Sequence, residues 1–264
     1  MTASSPVANI ALAHVDGWPI TTPNLDVTMA DTVARARAGY GFSLFTLNLD
    51  HLVKLRQLPA FRDAYRKAEI VTADGAPIAW LSRLQTTGIR RTTGADLFLP
   101  LVDAAAYNNL PVYLLGTTDA VLTRTVETLV RHTNGRITIA GVHAPAAAFD
   151  PWGAEGADAI ERIKASGAAI CFVALGAPKQ ELFSVRAVDQ GARCGFICVG
   201  AALDFVAGAQ VRAPVFFQRT GLEWAWRLAT NPRRLAGRYA RCAHLLFDVA
   251  VVSPLRQQLS GRGA

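Results

Sequence analysis

The sequence predicts an α/β fold: a Rossmann-like, open, mostly parallel sheet with helices on both faces, followed by a basic helical C-terminal appendage. Three observations carry this. Apolar runs of strand length alternate with segments of helical length and period. The strand runs are apolar on both faces, as a sheet covered on each side requires. A change of composition near residue 212 sets the remainder of the chain apart.

The strand-like runs are Phe42–Leu47, Ile70–Ala73, Val112–Leu115, Ile137–Ala140, Ile170–Leu175 and Phe196–Val199. Between them Pro77–Leu84, Leu97–Tyr107, Ala120–Arg131, Ala157–Ala165 and Lys179–Gln190 read as helices. Such alternation builds a doubly wound sheet, whose ligands gather at the carboxyl ends of the strands. The residues that follow each run are therefore the candidate site. They are Thr46-Leu47-Asn48, Asp74-Gly75, Gly116-Thr117-Thr118, Gly176-Ala177-Pro178-Lys179-Gln180-Glu181, and Gly200 followed by Asp204.

Residues 1–211 form the predicted catalytic domain and residues 212–264 the appendage. Arg212-Ala213-Pro214 marks the break, Thr220–Ala229 reads as a short helix, and Asn231-Pro232 caps and starts a second. On that second helix Arg234, Arg238 and Arg241 line one side, with Leu235, Tyr239, Cys242 and Leu246 on another. The formal net charge is +7, and the appendage supplies all of it with nine arginines against Glu223 and Asp248. A neutral body with a basic amphipathic tail suits anionic lipid, a phosphorylated substrate or nucleic acid. Trp224, Trp226, Leu228, Tyr239 and Leu246 give the tail the apolar side that docking on a membrane surface needs.

With 264 residues, 51% of them hydrophobic and 18% charged, the chain has the make-up of a folded globular protein, neither disordered nor collagen-like. Its four cysteines do not form a disulfide framework. Cys171, Cys194 and Cys198 fall in apolar strand-like runs, which favours core packing in a reducing, cytosolic compartment. No secretory signal is visible in residues 1–10, and no apolar run is long enough to span a membrane.

Missing motifs narrow the chemistry. There is no Gly-x-Gly-x-x-Gly after a strand, Walker loop, nucleophile elbow or zinc-spaced His/Cys set, and no Asp-x-Asp pair to hold a divalent ion on a nucleotide diphosphate. No metal and no cofactor are expected, so protein donors must bear the charge in any phosphate chemistry.

Gly176–Glu181 is the most informative segment. A glycine after a strand and a proline entering a helix expose first-turn N–H groups, which favour anions. Lys179 opposes the helix dipole there unless an anion neutralises it. Asp74 reads equally as a helix N-cap and as a carboxylate partly withdrawn from water and able to take a proton from a hydroxyl. Thr46 and Asn48 read as turn residues or ligand contacts. His51, His132, His143 and His244 have no partners at useful spacing and are expected in ordinary surface or core roles.

Taken together, Thr46-x-Asn48, Ala73-Asp74-Gly75, Arg91-x-Thr93-Gly94-x-Asp96-Leu97, Leu114-Leu115-Gly116, Gly176-Ala177-Pro178-Lys179-Gln180-Glu181, Gly200 to Asp204, Arg212-Ala213-Pro214 and Gly221-Leu222-Glu223-Trp224-x-x-Arg227-Leu228 resemble the WecG/TagA/CpsF glycosyltransferase family, exopolysaccharide-type members included. The match runs from about residue 7 to residue 238. The resemblance implies an inverting, metal-independent hexosyl- or N-acetylhexosaminyltransferase. Such an enzyme moves a sugar from a UDP-sugar to a polyprenyl-diphosphate-linked saccharide, peripherally on the cytoplasmic face of the inner membrane. It implies Asp74 as general base, with Thr46, Asn48 and Gln180 beside it. Gly94, Asp96, Gly116, Gly176, Pro178, Lys179, Glu181, Gly200 and Asp204 fall to the donor nucleotide. Arg212, Arg227, Arg234 and Arg238 fall to the acceptor diphosphate and the membrane.

A third family arginine falls at Gly237, next to Arg238. Thr117 replaces a second glycine, and residues 143–149 replace a Gly-Tyr-Phe stretch. Donor sugar and homo-oligomer formation stay open, and nucleic acid is not an expected partner. A nucleic-acid-modifying transferase and a non-catalytic nucleotide-sugar-binding docking protein are the alternatives.

Overall fold

The computed structural model describes residues 11–252. Residues 1–10, where no secretory signal is expected, residues 253–264 of the appendage and the side chains of Arg219 and Arg234 lie outside the described residues. The chain opens with an antiparallel pair, β1 (Ala13–Val15) and β2 (Trp18–Ile20), joined by Asp16-Gly17. Then follow α1 (Leu25–Ala38), β3 (Phe42–Leu47), α2 (Leu49–Gln57), α3 (Pro59–Lys67), β4 (Ile70–Ala73), α4 (Ala76–Arg83), α5 (Gly94–Tyr107), β5 (Val112–Gly116) and α6 (Asp119–His132). The body closes with β6 (Ile139–His143), α7 (Ala154–Ser166), β7 (Ile170–Ala174), α8 (Lys179–Asp189), β8 (Gly195–Cys198) and α9 (Ala202–Val206). α10 (Val215–Thr220), α11 (Glu223–Thr230), α12 (Pro232–Phe247) and a π-helical turn at Asp248–Val252 complete the described chain.

Six strands form one all-parallel sheet in the order β4-β3-β8-β7-β5-β6. The fold class is the one the sequence predicts. Each central strand is buried on both faces, which explains its unbroken apolar reading. One face carries Phe42, Leu44, Ile70, Leu114, Phe172 and Ile197 against Leu97, Phe98 and Leu101 of α5 and Leu122 of α6. The other face is covered in two parts. Phe45, Leu47, Val71 and Ala73 pack on α2, α3 and α4, and Leu115, Cys171, Val173 and Phe196 pack on α7 and α8.

Among the elements that differ from the sequence reading, α1, β6 and α5 have a clear local cause. α1 went unpredicted because threonine supplies part of its buried side: Thr28 and Thr32 are buried through hydroxyl bonds to Thr22 Oγ1 and to the Asn24 and Thr28 carbonyls. The edge strand β6 lies two to three residues later than the apolar run from Ile137. It pairs through Gly141, which has no side chain because a Cβ there would meet the Tyr113 ring at 2.5 Å. α5 starts three residues early, at Gly94, under a capping box between Thr93 and Asp96.

The appendage folds back on the body. α12 packs along α2, and its Leu245 joins the core cluster of Phe45, Leu52 and Phe61. Cys242 is buried and Leu246 packs against the same cluster, so part of the apolar side of α12 is spent on the protein's own core. Trp226 packs on Phe217, and Tyr239 on Trp224. Val211, Val215, Phe216, Trp224 and Phe247 remain exposed. Among the described residues no helix is long and apolar enough to cross a membrane.

Candidate active site

Asp74 follows the last residue of β4 and extends the pairing with β3 by a backbone bond from its N–H to the Leu47 carbonyl, 2.8 Å. Asn48 stands at the matching place after β3. As N-cap of α2 its side-chain oxygen accepts from the His51 N–H at 3.0 Å, which commits that oxygen and turns the amide toward Asp74. Asn48 Nδ2 then donates to Asp74 Oδ2 at 3.3 Å. Thr46 lies two residues back on the same strand, paired with Thr72 and buried. Its hydroxyl has no protein partner among the described residues, so it can serve a ligand.

Burial raises the Asp74 pKa to about 6. The Asn48 bond, Arg227 and Arg91 pull it down, and Glu223 pushes it up. A carboxylate poised there is ionised at neutral pH yet basic enough to take a proton from a hydroxyl as that oxygen attacks.

The surrounding charges come from both ends of the chain. Asp96, the N3 residue of the α5 cap, accepts from Arg212 Nη2 at 2.5 Å and lies 3.3 Å from Arg91 Nη2. Burial opposes ionisation of Asp96, but the Arg212 hydrogen bond and the Arg91 charge outweigh it and hold the pKa below the usual carboxylate range. Arg91 also lies 3.7 Å from Glu223, which bonds Arg227 at 2.8 Å. The Arg227 guanidinium rests over the Phe205 ring. Arg212 Nε is buried with no partner and so remains an available donor. Arg212, Asp96, Arg91, Glu223 and Arg227 thus form one chain of charges beside Asp74.

The residues expected to bind the donor stand at or next to the strand ends. Gly116 has φ +124°, and a Cβ there would lie 2.4 Å from the Ala174 carbonyl oxygen, so only glycine permits the β5 terminus to approach β7. A Cβ on Gly94 would fall 2.7 Å from Val199 Cα, so α5 begins directly against the end of β8. Thr117 donates to Asp204 at 3.1 Å, tying the loop after β5 to α9. Gly176 and Gly200 turn the chain after β7 and β8. Pro178 is the N-cap of α8, after a cis peptide, and Lys179 is its first residue. Lys179 has no hydrogen bond or ion pair among the described residues.

Three expected site residues are engaged elsewhere. Glu181 has no exposed surface, so the structure gives it no contact with a nucleotide. Its Oε1 accepts from Gln180 Nε2 at 2.7 Å and lies 3.9 Å from His51 Nε2, and burial raises its pKa to about 7. Gln180 is itself 3% exposed, and its Oε1 is buried with no partner. Its place after β7 holds as expected, but its amide is committed to Glu181. Arg238 lies 3.2 Å from Asp50 of α2, which also pairs with Lys54. That contact spends Arg238 on docking α12 to the body. Arg234 lies on α12, its side chain outside the described residues.

Sequence reasoning gives no functional role to Arg91 or Glu223, and an ordinary surface or core role to His51, which is buried. Arg91 stands two residues before the Thr93 cap, and Glu223 four before Arg227, spacings that mark an ion-pair network only once the appendage is placed. His51 is buried beneath Asn48, with Nδ1 2.6 Å from the Tyr65 hydroxyl, and desolvation lowers its pKa to about 3. A 670 Å³ cavity beside Asp16, Trp18 and the end of α3 is lined by Tyr65 but by none of Asp74, Asn48, Arg91, Glu223 and Arg227.

Residues 13–260 match the family described as Glycosyl transferase WecG/TagA/CpsF. This chain belongs to that family. Membership makes it a glycosyltransferase of cell-surface polymer biosynthesis, and the family suggests a nucleotide-sugar donor and a lipid-linked acceptor. In a WecG/TagA/CpsF protein with this sheet, the Asp74 cluster sits where an α/β sheet holds its ligands.

Proposed function

We propose that the protein is an inverting, metal-independent transferase. It moves a hexosyl or N-acetylhexosaminyl group from a UDP-sugar to a polyprenyl-diphosphate-linked saccharide, peripherally on the cytoplasmic face of the inner membrane. The observation that carries this reading is the Asp74 carboxylate, held by Asn48 at the end of β4, with a pKa near 6 and flanked by Arg91 and Arg227.

In the proposed reaction the acceptor hydroxyl oxygen attacks the anomeric carbon from the face opposite UDP. As the new C–O bond forms, the hydroxyl proton passes to Asp74, and the anomeric C–O bond to UDP breaks with its electron pair leaving on the diphosphate. The configuration at the anomeric carbon inverts. A placed base contributes about 10²–10⁴ in rate, and donors on the departing diphosphate add a comparable factor. Arg91, Arg212, Arg227 and Lys179 are the donors assigned to the phosphates of donor and acceptor. Membrane contact is assigned to Val211, Val215 and Phe216, exposed at the start of the appendage among its arginines.

The test is incubation in EDTA with a short-chain polyprenyl-diphosphate sugar and a panel of UDP-sugars, read as mass gain on the lipid. One product is expected. No transfer in EDTA with any UDP-sugar, but transfer on adding a divalent ion, rejects metal independence.

A further inference from the structure

Glu223 opens α11, where an acidic residue complements the helix dipole, and its Oε1 pairs with Arg227 one turn on. Neither preference requires burial, and a solvated helix start satisfies both. Here the Glu223 side chain is only 17% exposed, and its second oxygen faces Arg91 of the body, 3.7 Å away. Arg91 shares Asp96 with Arg212, so the two carboxylates Asp96 and Glu223 serve three guanidiniums. The result is a carboxylate held between two guanidiniums beside Asp74, with one arginine on the body and the other on the appendage.

A carboxylate between two arginines presents the same oxygen acceptors as a phosphate. We propose that Glu223 is a positioning residue, an internal anion that holds Arg91 and Arg227 in place and yields them to the diphosphate oxygens of the arriving substrate. This rests on the diphosphate ligand of the proposed function. In the empty protein Glu223 keeps the two guanidiniums from repelling each other and fixes α11 over the site. When a diphosphate arrives, its oxygens take over the two arginines and the Glu223 carboxylate turns to solvent. The arriving anion takes the place of one already held, so the two guanidiniums stay neutralised throughout and binding costs less rearrangement than closing a pair of repelling cations.

The proposal makes Glu223 a competitor of the ligand, which a structural ion pair is not. Binding of inorganic pyrophosphate and of UDP to the full-length protein is measured by calorimetry at low salt. Glu223→Gln keeps an oxygen for Arg227 but removes the charge. It should bind both anions about three- to tenfold tighter, the scale of one nearby charge at a partly exposed site. Binding equal to or weaker than wild type by a variant with native near-ultraviolet circular dichroism overturns the proposal. Should that variant not fold, Glu223→Asp keeps the charge and draws it back from Arg91. At least twofold tighter binding then supports displacement, and unchanged or weaker binding overturns it. A wild-type protein that binds neither anion instead removes the diphosphate reading on which the proposal rests.

Discussion

Gly221 lies so close to Ala76 that a Cβ added to it would fall 2.6 Å from the Ala76 Cβ. Ala76 opens α4, two residues after Asp74, so the turn between α10 and α11 presses the appendage onto the helix next to that carboxylate. Gly221 also has φ +77°, which other residues adopt at a cost of about 1 kcal/mol. Gly221→Ala should lower Tm by about 2–4 °C. It should lower kcat at least tenfold, because the clash lifts Glu223 and Arg227 from the site. A variant with wild-type kcat would show that this contact does not set the position of α11.

Asn48 carries two separable duties. Asn48→Ala removes the cap of α2 and the bond to Asp74, and should cost about 1 kcal/mol in denaturant unfolding. Losing a bond that lowers the Asp74 pKa should also move the acid limb of kcat/KM to higher pH. Asn48→Ser restores a capping oxygen without the amide. Its stability should recover while its acid limb stays displaced, and recovery of both would deny the amide a part in tuning Asp74.

Glu223→Gln should displace the same limb the other way. The groups bearing on Asp74 are Asn48, the N-cap of α2, Arg91 from the loop before α5, and Glu223 and Arg227 from α11. Of these charges only Glu223 raises the Asp74 pKa, while Arg91 and Arg227 lower it and would remain. The limb should therefore move to lower pH in a kcat/KM profile, and an unmoved limb would count against this coupling.

Glu181 should leave its mark on stability. Its folded pKa of about 7 lies above the ordinary glutamate value of 4.5, so the folded state binds the proton more tightly. Stability from this group is full below about pH 4.5, is lost as pH rises to about 7, and is constant above that. Glu181→Gln cannot ionise. Its Tm should gain on wild type across that interval, by an amount corresponding to at most about 3 kcal/mol. A Tm difference that does not change with pH would mean that Glu181 is ionised in the core.

The sheet was legible because buried parallel strands need apolar residues on both faces, and five of the six runs lie within two residues of their observed bounds. β6 was not, because an edge strand pairs through Gly141 and His143 without a continuous apolar run. α2 and α3 escaped notice although Pro59 after Leu58 marks a helix start. In the site, Asp74, Thr46 and Asn48 could be read because strand ends are where ligands collect. Of the partners of Arg212, Arg227 and Arg238, the first and last could not, since those two pairings depend on how the appendage folds back, whereas Arg227 pairs within α11. Asp96, Glu223 and Asp50 lie 116, 4 and 188 positions away from them, and only the four-residue spacing is local.

The central claim is that Asp74 takes the acceptor proton, and the pH dependence of kcat/KM for Asp74→Asn beside wild type tests it most directly. Wild type should rise tenfold per pH unit below about 6 and level off above it. The variant should be folded, slower by about 10²–10⁴ at pH 7.5, and without that limb. An Asp74→Asn enzyme within threefold of wild type, with its acid limb in place, would contradict the account.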